Sequence, residues 1–302
     1  MRRRVLTGVA IAAGAAVLAA GLGVWVLLPR STPEDTARAF LDALESGDAD
    51  AVFALVDGGR DAHADAADAL TGATERISGA RVVSVETAGD GAAVDADVTL
   101  AGQRYPMAFE LARVEGRWVV ASGFLDDARL TASLGDAVTV GDAVIAEGDV
   151  QLLPARYEVT GAPADLLDGS VDVDVAPERA AEATVETALS TTALAEAQGQ
   201  IDAYAAACTS GGPSVPAACG LRVPWAADFT AAISFAYRID RSPQLRVSPD
   251  GAAFVAGGGD VVVTVSGAAR DGGPAERTYR DDAWTLRGDV HLGSDGLVLS
   301  VR

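Results

Sequence analysis

The sequence contains no lysine and no asparagine, so all 23 of its basic residues are arginine. Without lysine there is no P-loop, no Schiff-base nucleophile, no kinase-type lysine and no Ser-x-x-Lys acyl-enzyme site. Without asparagine there is no N-linked glycosylation acceptor. Histidine is nearly as scarce, with only His63 and His291. A histidine-based triad would need distant partners that no local spacing indicates. Basic charge is also short: 23 arginines stand against 43 acids, a net charge of −20. Such a balance excludes nucleic acid as a partner, because phosphates need a basic footprint.

What is present is apolar material, 49% of 302 residues, enough for real cores and for two or three domains. Arg2, Arg3 and Arg4 precede an uncharged run from Val5 to Leu28, which Pro29 and Arg30 close. At about 1.5 Å per residue a helix over this run reaches roughly 36 Å, enough to cross a hydrocarbon core. The arginine bias predicts a single-pass anchor with its N-terminus in the cytoplasm and residues 31–302 outside. The rival is a cleaved signal peptide with small residues around Ala19 and Ala20, but the apolar run continues well past them. The first thirty residues carry four Arg and no acid, so residues 31–302 hold 19 Arg against 43 acids, a net of −24. Such a surface is repelled by an anionic membrane face.

The segment after the anchor opens with a helix signal. Thr32 is placed to cap, Pro33 suits the first helical position, and Glu34 and Asp35 suit the positive end of the dipole. Ala37, Phe40, Leu41 and Leu44 recur at helical spacing up to Gly47. Asp48 or Asp50 is expected to cap a second helix through Val56, and a third is expected over Ala64–Ile77. The period then becomes two. Strands are expected at Arg81–Thr87, Ala93–Leu100, Arg104–Leu111 and Trp118–Ala121, a half-buried antiparallel sheet.

The run Ala37-Arg38-Ala39-Phe40-Leu41-Asp42-Ala43-Leu44-Glu45-Ser46-Gly47-Asp48-Ala49-Asp50-Ala51-Val52 resembles the opening of the nuclear-transport-factor-two-like superfamily. Gly116-Arg117-Trp118-Val119-Val120 is similar to that family's closing strand. The resemblance covers about residues 32–125 and implies helices lying against a curved sheet to form a cone. It implies little about function, because that fold hosts isomerases, dehydratases, transport adaptors and bare scaffolds.

After Asp126 short strands are expected at Ala137–Ile145, Val150–Leu153, Arg156–Thr160 and Ser170–Val175. Leu152-Leu153-Pro154-Ala155-Arg156-Tyr157-Glu158-Val159 resembles the small β-sandwich repeats of bacterial surface proteins. A β unit of fifty residues is marginal alone and is expected to pack on a neighbour. Glu182–Leu189 fits a strand or a helical turn. Thr192–Cys208 reads as a helix with Leu194, Ala197, Ile201, Tyr204 and Ala205 on one stripe. Strands follow at Ile233–Ile239, Leu245–Val247, Val261–Val265, Trp284–Leu286 and Leu297–Val301. Gly257-Gly258-Gly259 and Asp271-Gly272-Gly273-Pro274 read as turns.

The expected fold class is therefore α+β, in four parts. Residues 1–30 form the arginine cluster and transmembrane anchor, 31–126 a cone-like unit, and 127–177 a small β-sandwich-like unit. Residues 178–302 form a C-terminal α+β domain with one main helix on an antiparallel sheet.

The candidates for chemistry are few. Cys208 and Cys219 frame a short flexible loop in an oxidising compartment, which predicts a disulfide. His63 lies among Asp61, Asp65 and Asp68, but on a helix the three acids share a face from which His63 points away. No EF-hand spacing fits, so no metal site is expected. His291 is expected to be structural. The cone interior is expected to be lined by Val94, Val98, Tyr105, Met107, Phe109 and Trp118, with the strand aspartates on the opposite face. No cofactor is expected.

These readings predict a non-enzymatic binding or scaffold protein whose contacts are the membrane, through residues 5–28, and a partner in the cell envelope. The alternative is a small-ligand binder or acid/base enzyme that uses the cone. The abundance of Ala, Arg, Gly, Val and Asp, with no Lys or Asn, resembles envelope proteins of high-GC bacteria such as actinomycetes.

Overall fold

The computed structural model describes residues 31–293 and 296–302, so the expected span at 5–28 lies outside the described residues. Among the described residues no helix is long and apolar enough to cross a membrane. The fold is α+β, with strands in the majority and four α-helices among the described residues.

The first helix, α1 (Pro33–Ser46), starts with a capping box. The Thr32 hydroxyl accepts from the Asp35 N–H and the Asp35 carboxylate accepts from the Thr32 N–H, each at 3.1 Å. Gly47 ends the helix in the left-handed region. Asp48 caps α2 (Ala49–Ala54) by accepting from the Ala51 N–H at 3.0 Å. The third helix, α3 (Ala64–Thr71), is shorter than its apolar spacing predicts. Gly72 ends it because its backbone lies against Gly141 and Asp142, where a Cβ would stand 2.6 Å from the Asp142 nitrogen. Ala73 and Ile77, which extended the helical pattern, are buried from an extended segment instead. That segment contains β1 (Glu75–Arg76), paired with residues 155–156.

Strands β2 (Ser78–Ala88), β3 (Gly91–Leu100), β4 (Gln103–Val114) and β5 (Arg117–Ser122) form an antiparallel meander in that order. The register pairs Val94 with Phe109, Ala96 with Met107 and Val98 with Tyr105. One face of the sheet is thereby wholly apolar, and Phe40, Leu41 and Leu44 of α1 bury themselves in the same core. The chain after α2 closes the open side. Val56 bridges to Val120, and the Val120 N–H donates to the Leu55 carbonyl at 2.8 Å.

The next strands are β6 (Asp126–Ala132), β7 (Ala137–Val140), β8 (Ala143–Ala146), β9 (Gly148–Leu152), β10 (Ala155–Ala162), β11 (Leu167–Asp168), β12 (Ser170–Val175), β13 (Ala181–Val185) and β14 (Ala188–Leu189). The single strand expected over Ala137–Ile145 is a hairpin, because Gly141 and Asp142 turn the chain. Strand β10 pairs with β12 and β7, while β6 lies between β9 and β13, parallel to the latter. The Pro-Ala-Arg-Tyr turn is held by the buried Tyr157 hydroxyl, which donates to the Leu153 carbonyl at 2.7 Å. One apolar core runs without a break from Ala37 in α1 to Val185 in β13.

A second core gathers around α4 (Thr191–Cys208), which the Ser190 hydroxyl caps. The buried stripe of α4 is Ala193, Ala197, Ile201, Ala205 and Cys208. Leu194, expected on that stripe, is 39% exposed; small alanines face the sheet and the larger side chain is turned aside. The sheet comprises β15 (Phe229–Arg241), β16 (Gln244–Val247), β17 (Ala253–Ala269), β18 (Pro274–Gly293) and β19 (Gly296–Val301). Strands β15 and β16 share one side of β17, followed by β18 and β19. Gly257-Gly258-Gly259, expected as a turn, lies inside β17 as a bulge where the register with β18 skips. Gly259 leaves room there for Trp284 and Pro243, whose atoms would stand 3.1 and 2.9 Å from a Cβ. Leu134, Leu166 and Leu167 belong to this second core, although the chain around them lies among strands of the first.

Candidate functional site

The six residues expected inside the cone all lie in the first core, between 0 and 9% exposed. Phe40 of α1 meets Phe109 with ring centroids 5.2 Å apart and Phe124 at 6.4 Å. A cavity wide enough for water would leave accessible area on its lining, yet Val98 and Phe40 have none and Met107 and Phe109 only 2%. The interior is filled by side chains. Trp118 closes one end of the inner face, with the Arg113 guanidinium 5.5 Å from its ring centre. These two residues are register partners on β5 and β4.

The carboxylates of the sheet point outward. Asp95 accepts from the Ser84 hydroxyl at 2.7 Å, and Asp97 accepts from Arg81 at 2.6 Å. Across the outer face Glu86 and Glu110 flank Ala93, one strand to either side, and border an open hollow of about 410 Å³. The Ser122 hydroxyl donates to Glu110 at 3.0 Å. These acids are hydrogen-bonded or solvated, and none is aimed into the core.

His63 sits at the junction of a short 3-10 turn (Arg60–His63) with α3. It stacks on Phe53 at 5.6 Å and meets the edge of Phe124 at 5.3 Å. The ring therefore serves as an aromatic spacer between α2 and the chain after β5. The spacing of acids around it carried no sign of this role. Among the described residues no group of His, Cys, Asp and Glu is arranged to hold a metal. His291 is exposed on β18.

Cys208 and Cys219 form a disulfide with Cα atoms 5.7 Å apart. The loop they close covers Trp284, which is fully buried and donates its indole N–H to the Cys219 carbonyl at 2.7 Å. Both sulfurs belong to residues at most 5% exposed, as befits a structural bridge rather than an exchanging one.

One carboxylate stands out. Asp126, at the start of β6, is pushed up to about 6, chiefly by burial and further by the charges of Asp127 and Glu178. Its oxygen accepts from the Glu178 N–H at 2.8 Å, which opposes the rise. Glu178 itself has a φ of 59°, a left-handed conformation rare for a side-chain-bearing residue. Asp126 thus holds the turn between β12 and β13. Nearby, burial raises the Tyr157 phenol well above its ordinary value, so it stays a neutral donor.

A groove of about 520 Å³ lies on the second core, lined by Leu134, Leu189, Leu194, Leu245 and Val247. It was not legible in the sequence, because its walls come from four separate segments.

No family model and no curated protein matches the chain. Among solved structures, the chain is similar to a crystal structure from Campylobacter jejuni named as an NTF2-like transpeptidase. The identity is 20%, the match covers 30% of this chain and 99% of that one, and the TM-score is 0.25.

Proposed function

We propose that the chain is a membrane-anchored protein of the bacterial envelope, with residues 31–302 outside the cytoplasm acting as a binding or scaffold module rather than an enzyme. The observation that carries this reading is the filled interior of the first sheet, where an enzyme of the cone type would keep an open, polar pocket. The outward placement of Asp95 and Asp97 adds support, since no general base faces the interior. Three helices that share one core with a four-stranded antiparallel meander support assigning residues 32–125 to the nuclear-transport-factor-two-like superfamily. The absence of lysine means that these 302 residues hold no Ser-x-x-Lys site of their own. The apolar run 5–28 supports the anchor, and the composition supports a high-GC, actinobacterial source.

The test has two readings on the full chain. Alkaline phosphatase fused after Arg302 is expected to be active and the mature protein to keep its first residues in the membrane fraction. Native mass spectrometry of the purified chain is expected to show the polypeptide mass alone. An inactive fusion would remove the outside placement, and a retained small molecule would favour the ligand-binding alternative.

A further inference from the structure

The sheet of the second core has no closed barrel to hide its edges, and a long exposed edge is a template for another strand. Several points on the edges of this sheet meet a substitute partner from the same chain. Helix α4 supplies two. The Gln198 amide donates to the Pro243 carbonyl at 3.0 Å and accepts from the Leu245 N–H at 2.9 Å. It presents to β16 the donor and acceptor of one peptide unit. On the opposite flank the Gln200 amide does the same for β19. It donates to the Leu297 carbonyl at 2.7 Å and accepts from the Leu299 N–H at 3.0 Å. Residues two apart on a helix point to nearly opposite sides, which is what reaching both flanks requires.

The disulfide loop guards the other end. Gly212 exchanges two backbone hydrogen bonds with Phe235 of β15, at 3.0 and 2.8 Å. Just after the loop the Arg222 N–H donates to the Asp281 side chain of β18 at 2.9 Å, which ties the following segment to that strand. Exposed apolar side chains remain on these strands, with Ile233 70% and Val298 54% exposed, so an unguarded edge would offer both hydrogen bonds and apolar contact.

We infer that α4 is an edge lock: Gln198 and Gln200 occupy the strand edges of the second sheet and exclude an extended strand, in the first place one from a second copy of this chain. Net charge keeps copies apart at long range, and the amides act at contact. This inference is independent of the proposed scaffold role, since it concerns what the sheet refuses rather than what the protein binds.

The test compares the full chain with Gln198→Leu, Gln200→Leu and the double variant, since leucine keeps helix propensity and bulk. In the unaltered chain the Leu245 and Leu299 amides are expected to be protected from hydrogen exchange although, among the described residues, no strand lies beyond them. Each substitution is expected to speed exchange of its own amide by roughly tenfold, the worth of one hydrogen bond. In salt high enough to screen the charge, each single variant opens one edge and is expected to form pairs. The double variant opens two edges and is expected to form longer assemblies. Rapid exchange of both amides in the unaltered chain would overturn the lock. So would faster exchange in the variants with no change in association state. If the double variant fails to fold, the single variants decide.

Discussion

The two cores cover their sheets by different means. The first sheet shares its core with three short helices, two of which begin on a side-chain cap, and its inward side chains alternate without a break from Ala92 to Leu100 and from Tyr105 to Leu111. The second sheet is larger, with strands of 17 and 20 residues, yet has one helix and a disulfide loop to cover it. Its helix presents mostly alanine to the sheet. The first region therefore rests on apolar packing distributed over many residues. The second concentrates its dependence on a few anchors, Trp284 and the Cys208–Cys219 bridge among them.

The strongest way to break this comparison is to truncate one large, fully buried aromatic side chain in each core. Phe40→Ala and Trp284→Ala are each expected to cost about 3–5 kcal/mol. Trp284→Ala also strips the Cys219 carbonyl of its donor. Residue-resolved hydrogen exchange is expected to show the loss centred on β3 and β4 for the first and on β17 and β18 for the second. Uniform loosening of both cores by either change would erase the distinction.

Next in size is the bridge. Replacing Cys208 and Cys219 by serine is expected to destabilise by about 2–3 kcal/mol through loop entropy. Tryptophan fluorescence is expected to shift to the red as the loop leaves Trp284. Denaturant melts that leave emission unchanged would contradict the covering role of the loop.

The smallest effect sharpens the contrast from the other side. Asp126 has a folded pKa above its unfolded value of 3.8, at about 6. The folded state therefore holds the proton more tightly between those values, and the stability from this group is complete below 3.8 and lost as pH rises through about 6. Asp126→Asn keeps an oxygen for the Glu178 N–H and removes the buried charge. The variant is expected to be more stable on the order of 1 kcal/mol above pH 7, screening by solvent included, and little changed at pH 4. A melting temperature that falls equally at both pH values would sink this account.

Much of the first region was readable from residues alone because each of its signals is local. Thr32, Pro33 and Asp35 announce α1, and strict alternation announces the inner face of β3 and β4. The same local rule misread Ala73 and Ile77, since spacing that suits a helix is also met by a buried extended segment. In the second region bulges break the period of β17 and β18, so only the stretches between them looked like strands. Trp284–Leu286 was visible while most of the seventeen other residues of β18 were not. Gln198 and Gln200 gave no sign, because two polar residues on a helix read as a solvated face. The filled interior was foreseeable from the size of Phe109 and Trp118, whereas Asp126 depends on a turn fifty residues away in sequence.

Leu134, Leu166 and Leu167 lie along the chain among strands of the first core yet pack in the second. Anyone preparing the protein in pieces would meet this directly. A fragment ending at Val185 would carry three leucines with their covering removed, and a fragment beginning there would have a gap where they had been. Such pieces would be sticky in the one case and hollow in the other, whichever loop were chosen for the cut.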